Sequence, residues 1–255
     1  MKEPYLHDVV QVVKLGNHYQ LKYLQYLKDG GFEERINFHK NDFLIPIRHL
    51  SSKDKNKNKL SNNISRAITT CRNIALSNNW DYFATLTIDP AKYDRFNIRE
   101  YKKNLSKFIK SINRKYNCKI NYLLIPELHS NGAWHAHGLF SNIPNHLVTT
   151  NSNGFLDFLP YSAAFGFCSM DFIRDKYAVS FYITKHLSKQ LHNSSINKFD
   201  HLYIASHGLS RGNVVKVIPA AKLPDNFHFQ YESLDGSYKS SFFEDDTFIK
   251  QLNLL

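Results

Sequence analysis

Two short apolar runs separated by a turn-forming segment constrain this chain more than any other feature. Residues 120–128 (INYLLIPEL) and 134–140 (WHAHGLF) are rich in strand-forming side chains, and residues 129–133 (HSNGA) between them are of turn-forming types. The pattern predicts a β-hairpin. Because alternate side chains of a strand point to the same face, His135 and His137 share one face of this hairpin.

The length of the turn decides whether a carboxylate joins the two imidazoles. In a three-residue loop that ends with a left-handed Gly132, Glu127 lies opposite His135. In a two-residue turn, Glu127 lies opposite Ala136 and its carboxylate points to the other face of the sheet. The sequence leaves both registers open.

In the first register, Glu127, His135 and His137 form a candidate metal site. Two imidazoles and one carboxylate leave coordination positions open, and they suit Mg²⁺, Mn²⁺ or Zn²⁺ acting on a phosphoryl or carbonyl oxygen. The alternative is that both histidines are half-buried strand residues bonded to their neighbours. The three cysteines have no paired spacing, so neither a disulfide framework nor a cysteine-rich zinc site is expected.

Composition and charge narrow the class of partner. A chain of 255 residues with 42% hydrophobic side chains is long and apolar enough to bury a substantial core. Its net charge of +11 and its aromatic content favour single-stranded nucleic acid, although a merely basic surface is the alternative. No phosphate-binding glycine loop indicates an NTPase. No apolar run reaches membrane-spanning length, so we expect a cytoplasmic protein without a membrane partner.

The pattern along the chain predicts three regions. Residues 1–60 form a small β-rich or mixed extension that ends in a linker or exposed loop at 51–59, residues 61–220 form the main domain, and residues 221–255 form a tail. The main domain is predicted to contain, in order, helix 61–77, strand 82–88, helix 98–116, the hairpin, an irregular segment 145–167, helix 171–191, and strands 201–206 and 213–218.

Tyr182 is the candidate nucleophile. Lys185 and Lys189 follow it by three and seven residues, so all three side chains lie on one side of the predicted helix. Ammonium groups stabilise a phenolate and also bind a phosphate. A phenol next to a metal site is suited to attack a phosphodiester, leaving a covalent phosphotyrosine and a free 3′ hydroxyl. The alternative is a solvated lysine face with an interfacial tyrosine.

Three ordered motifs resemble those of the HUH superfamily of rolling-circle replication initiators, in particular the Rep endonucleases of phages and plasmids. The motifs are Phe83–Thr87 (FATLT), Glu127 followed by the His135–His137 pair, and Tyr182–Lys185 (YITK), and the likeness covers residues 62–218. The resemblance implies an α+β fold with an antiparallel sheet of about five strands and flanking helices, in which the histidine pair lies on a central strand. It further implies that Glu127, His135 and His137 bind Mg²⁺ or Mn²⁺, with Tyr182 as nucleophile and Lys185 assisting at the phosphate.

The function implied by the resemblance is the nicking of single-stranded or hairpin origin DNA in the cytoplasm of a bacterial host. The enzyme would keep a 5′-phosphotyrosine link and leave a 3′ hydroxyl for a host polymerase, while a host helicase separates the strands. The residues expected to contact DNA are Arg66, Arg72, Thr85, Thr87 and Lys189.

One position departs from the initiators that use two tyrosines. His186 stands one turn after Tyr182, where those proteins have the second tyrosine, so a single-tyrosine enzyme is implied. Tyr177 is a weaker candidate for a second nucleophile, because five residues along a helix place it on a different face. A relaxase or a transposase of the same superfamily would use the same residues. A non-catalytic single-stranded DNA-binding module is the alternative from a different class.

Overall fold

The structure is a computed structural model that describes residues 6–27, 54–189, 202–232 and 238–252. Its strands are β1 (Leu6–Leu15), β2 (His18–Leu27), β3 (Tyr82–Thr87), β4 (Asn121–Leu128), β5 (Trp134–Ser141), β6 (Val148–Thr150), β7 (Leu156–Phe158), β8 (Cys168–Phe172), β9 (Ile204–Ala205), β10 (Asn213–Pro219), β11 (Tyr231–Glu232) and β12 (Tyr238–Phe243). Its helices are α1 (Asp54–Ser77), α2 (Ile98–Tyr116), α3 (Leu159–Ala164), α4 (Lys176–Lys189) and α5 (Thr247–Gln251). None of these described helices is long and apolar enough to cross a membrane.

The chain divides into two units. One unit contains both ends of the sequence, Met1–Asn56 and Arg211–Leu255, and the other is Lys57–Ser210. This division differs from the sequence-based regions 1–60, 61–220 and 221–255, because strands from the two ends pair in one sheet. A hairpin by itself is marginally stable in water, so β1 and β2 gain stability from the strands that the C-terminal segment adds.

The sheet of the terminal unit has five antiparallel strands in the order β10-β1-β2-β12-β11. Its core contains alternate side chains of β1 and β2, which pack against Ile218 of β10 and Ile249 of α5. A β-rich N-terminal segment is therefore confirmed for residues 6–27, whereas the predicted apolar run at 43–47 lies outside the described residues.

The second unit is built on a seven-stranded antiparallel sheet in the order β6-β7-β8-β3-β5-β4-β9. The α+β class and the interior position of the histidine strand β5 are as expected. The strand count exceeds the expected five, because residues 148–158 form the hairpin β6–β7 at one edge and β9 pairs with β4 at the other.

Helices cover both faces of this sheet. On one face α2 buries Tyr101, Leu105 and Ile109 against β3, β4 and β5. On the other face α1 and α4 pack on Leu123 and Leu139. The two strands of the central hairpin approach closely at Gly138, where a Cβ atom would overlap the Leu124 side chain.

The predicted helix at 98–116 is confirmed at both ends. Its amphipathic stripe is regular, and the side chain of Asn97 caps the first turn by accepting a hydrogen bond from the backbone N–H of Glu100. The helix ends at Asn117, which has a left-handed backbone conformation.

Two other helix starts differ from the prediction. Helix α1 begins at Asp54, so the expected linker at 51–59 is wrong from Asp54 onward; its lysines and asparagines include no glycine or proline to interrupt a helix. Helix α4 begins at Lys176 instead of Asp171, because residues 168–172 pair with β3 as β8. The Asp175 carboxylate then caps the helix through the N–H of Ala178.

The expected irregular segment at 145–167 is also wrong, since it contains β6, β7 and α3. Phe158, Tyr161 and Phe165 in this segment are buried in the core beside α2. Their spacing follows neither strand nor helix periodicity, because the segment changes from one element to the next within a few residues. Of the two later strands, 213–218 is confirmed as part of β10 in the terminal unit, and 201–206 reduces to β9.

Candidate functional site

The turn between β4 and β5 has the three-residue form. The N–H of His129 donates to the carbonyl of Ala133 at 2.9 Å, and the N–H of Gly132 donates to the carbonyl of His129 at 2.9 Å. Gly132 has a φ of 83°, the left-handed conformation that this loop requires and that glycine adopts without steric cost. Glu127 consequently pairs with His135, so the first of the two registers is confirmed.

This register brings three ligand atoms together on the sheet face that α1 and α4 cover. The Nε2 atoms of His135 and His137 are 3.0 Å apart. Oε2 of Glu127 lies 3.4 Å from the first and 3.2 Å from the second. His135 is buried, and the other two side chains are partly buried.

The spacing of these atoms fits one metal ion. Two ligand atoms about 2.1 Å from a common ion lie about 3.0 Å apart at an octahedral angle and about 3.4 Å apart at a tetrahedral angle. Glu127, His135 and His137 can therefore hold a divalent cation with coordination positions left for a substrate. A cation also offsets the repulsion between a carboxylate oxygen and two imidazole lone pairs that face the same point.

Thr85 sets the orientation of one of these imidazoles. Its Oγ1 atom lies 3.1 Å from Nδ1 of His137, directly across the β3–β5 pair. When Nδ1 carries the proton and donates it to the hydroxyl, Nε2 presents its lone pair to the cluster. Sequence reasoning assigned Thr85 only to DNA, because the pairing of β3 with β5 could not be read from the two strands separately.

An aromatic contact connects the tyrosine helix to the same cluster. The ring of Phe83 stacks on the His137 imidazole with centroids 5.9 Å apart and an interplanar angle of 16°. The same ring meets Tyr182 edge-on at 5.5 Å. Phe83 therefore contacts both a candidate metal ligand and the candidate nucleophile, a role that sequence reasoning missed.

Residues 81–191 match the family of replication-associated protein ORF2. The match runs from β3 to α4, so it includes the Glu-His-His cluster and Tyr182. It supports a replication-associated protein of the Rep type with a role in DNA replication. No curated protein and no solved structure matches the chain.

Within this Rep-type region, α4 has a buried face and a solvent face. Ile183 and Leu187 are buried against the sheet, as the predicted stripe requires, whereas Leu191 lies outside the described residues. Tyr182 is 50% exposed and Lys185 is also exposed, so both project from the solvent face. The side chains of His186 and Lys189 lie outside the described part of the structure.

The remaining candidate residues have other surroundings. The ring of Tyr177 packs against Phe181 at 4.8 Å. Arg72 of α1 lies over the Phe181 ring at 4.4 Å and donates to Thr184 at 3.4 Å, so it connects α1 with α4. Arg66 is exposed on α1. A DNA contact by either arginine stays a prediction.

Proposed function

We propose that this protein is a metal-dependent endonuclease of the HUH type that initiates rolling-circle replication by nicking single-stranded or hairpin origin DNA. The observation that carries the proposal is the convergence of Glu127, His135 and His137 on one sheet face, with Phe83 in contact with both His137 and Tyr182. An open ligand set and an exposed phenol near it are the two parts that a tyrosine-dependent phosphodiester cleavage needs.

In the proposed reaction, Oη of Tyr182 attacks the scissile phosphorus while the bond from phosphorus to the 3′ oxygen breaks. The phenolic proton passes to solvent, and the departing 3′ oxygen takes a proton from solvent. The products are a 5′-phosphotyrosine and a free 3′ hydroxyl, which primes a host polymerase. Lys185 follows Tyr182 by less than one turn on the solvent face, where its ammonium can bind a non-bridging oxygen.

The Glu-His-His cluster would hold Mg²⁺ or Mn²⁺. Such an ion, when bound, stabilises the charge that develops on the non-bridging oxygens of the phosphate. Thr85 keeps the His137 ring oriented, and the buried position of His135 fixes the second imidazole.

The proposed substrate agrees with the charge of the chain, since a net charge of +11 favours a polyanion. Strand separation is assigned to a host helicase. A single tyrosine forms one covalent link, so the joining step would use the freed 3′ hydroxyl or a second protomer as its nucleophile.

The test is the formation of a covalent adduct. The full chain is incubated with labelled single-stranded DNA from its origin region and Mn²⁺, and the products are separated in SDS. We expect an SDS-resistant adduct with the wild type and with Tyr177→Phe, the matched control on the same helix, and none with Tyr182→Phe. Sequencing of the trapped DNA then gives the nick site.

Two results would overturn the proposal. Full adduct formation by Tyr182→Phe would remove the tyrosine from the chemistry. Failure of the wild type with Mg²⁺, Mn²⁺ and Zn²⁺ would instead favour a non-catalytic single-stranded DNA-binding module. A relaxase or transposase would give the same adduct, and the neighbouring DNA separates these from an initiator, since terminal hairpins accompany transposition.

A further inference from the structure

A polar cleft of about 540 Å³ lies at the end of β3, in the unit that contains the Glu-His-His cluster. This volume is within the range of small-ligand sites in proteins. The cleft is lined by the end of β3, the loop after it, the turn between β6 and β7, and the residues before β8. The side chains that matter here are Thr87, Lys92, Arg95, Asn151, Asn153 and Phe167.

The cleft and the metal cluster share a row of cross-strand neighbours. The N–H of Thr87 donates to the carbonyl of Phe167 at 2.8 Å, which extends the β3–β8 ladder by one pair. Thr87 pairs with His135 on its other side, and His135 pairs with Glu127. Cross-strand neighbours share a face, so Phe167 stands on the same face as the cluster, two strand spacings or about 10 Å from His135.

The loop after β3 is attached to the hairpin that carries the cluster. The carbonyl of Arg95 accepts a hydrogen bond from the N–H of Trp134, the residue before His135. The guanidinium of Arg95 lies over the ring of Phe96 at 5.5 Å. The cleft is therefore built onto the same strands that position the metal ligands.

Exposed phenylalanine rings surround the cleft. Phe167 lines it and is 47% exposed, Phe155 beside Asn151 is 46% exposed, and Phe96 beside Arg95 is 57% exposed. Large aromatic side chains exposed around a concave surface indicate a binding site. Flat rings of this kind stack on nucleobases without regard to sequence.

The charges of the cleft favour a base over a phosphate alone. The cations Lys92 and Arg95 are matched by the carboxylates Asp89 and Asp157. Nζ of Lys92 already donates to the carbonyl of Ser162 at 2.8 Å. A site without excess positive charge, lined by amide and hydroxyl groups, suits the polar edge of a base.

We propose that this cleft binds a nucleobase of the DNA strand, adjoining the phosphate that the Glu-His-His cluster positions, and that Phe167 stacks on it. The inference rests on the proposed function, because it takes single-stranded DNA as the substrate. It adds a base-binding subsite on the side of the cluster where β3 meets β8.

The test measures binding without chemistry. Fluorescence anisotropy is recorded for the full chain with labelled oligo(dT) in EDTA, and with an abasic strand of the same length. We expect Phe167→Ala to weaken oligo(dT) binding about tenfold, whereas Phe167→Trp retains it. Phe172→Ala is the matched control, because Phe172 is also exposed and lies at the other end of β8.

Three results would overturn the subsite: unchanged oligo(dT) affinity of Phe167→Ala, an equal loss with the abasic strand, or an equal loss in Phe172→Ala. The adduct assay runs in parallel and keeps the two proposals separate. Weaker binding by Phe167→Ala with no adduct from the wild type would sustain the subsite and refute the nuclease. An adduct from the wild type with normal binding by Phe167→Ala would refute the subsite alone.

Discussion

The ring of Phe83 packs edge-on against Tyr182, with 5.5 Å between the ring centroids. Phe83 is the first residue of the FATLT motif on β3, and Thr85 is the third. Alternate residues of a strand share a face, so Phe83 meets the tyrosine helix and His137 while Thr85 bonds to His137. The motif therefore has a physical role as the support that joins nucleophile and metal ligands.

Replacing Phe83 should slow the chemistry more than it weakens DNA binding. Phe83→Leu keeps an apolar side chain in the half-buried position but removes the ring that holds Tyr182. A small misplacement of a reacting group is costly, so we expect the single-turnover rate of adduct formation to fall at least about tenfold. Oligonucleotide affinity in EDTA should stay within about twofold, since the phosphate-binding cations are unchanged.

Phe83→Tyr serves as the control for this prediction, because it restores the ring and should recover most of the rate. A rate unchanged in Phe83→Leu, or a parallel loss of DNA affinity, would show that Phe83 does not position the tyrosine.

Removing the Thr85 hydroxyl should weaken metal binding. Thr85→Val preserves the β-branched shape but loses the bond to Nδ1 of His137, and loss of such a supporting bond typically costs about 10- to 100-fold in metal affinity or activity. Titration calorimetry with Mn²⁺ measures the effect, and Thr85→Ser is the control that retains the hydroxyl. Equal Mn²⁺ affinity in Thr85→Val and wild type would contradict the assigned role.

His135→Ala should abolish cleavage and leave most DNA binding intact. The imidazole supplies one of three converging ligand atoms, whereas the affinity for DNA comes mainly from cations elsewhere on the chain. The adduct assay and anisotropy in EDTA measure the two properties separately. His146→Ala, at an exposed histidine outside the cluster, should change neither. If His135→Ala lost both properties together, the histidine would support the fold instead.

Gly138→Ala should destabilise the second unit. The added Cβ would overlap Leu124 and lie 2.9 Å from the carbonyl oxygen of Leu123, a backbone atom that cannot move independently. Overpacking of this kind costs about 1 to 3 kcal/mol in the free energy of unfolding. Urea denaturation measures it, and Gly154→Ala, where a Cβ meets nothing within 4 Å, should cost about 1 kcal/mol from backbone strain alone.

Lys22 should make the stability of the terminal unit depend on pH. Burial in β2 lowers the pKa of this lysine from 10.5 to about 7. Between these values the unfolded chain binds more protons, so stability rises as the pH increases from about 7 to 10.5, and the destabilisation is complete below pH 7.

Lys22→Met should flatten this dependence and stabilise the unit at pH 6 by about 2 to 4 kcal/mol. Urea denaturation at pH 6 and pH 9.5 measures the difference between variant and wild type. Lys216→Met, at an exposed position of β10, is the control and should leave the pH dependence as it is. Parallel pH profiles for Lys22→Met and wild type would contradict the prediction.

Elements with a regular apolar period and a local cap were predicted well. Helix α2 is an example, because the Asn97 cap and the apolar stripe lie within its own sequence. The start of α4 was not predicted, since residues 168–172 become a strand only by pairing with β3. The same reason applies to residues 148–158, whose strands are three residues long and are stabilised by neighbours distant in the sequence.

The sequence alone determined that His135 and His137 share a face, because side-chain direction in a strand has a period of two residues. Only the tertiary structure decided that Glu127 joins them, since a one-residue change in the turn would send its carboxylate to the opposite face. The contact of Tyr182 with Phe83 likewise depends on packing between a helix and a strand that are distant in the chain. Periodicity fixes directions within an element, and pairing and packing between elements decide which of those side chains meet.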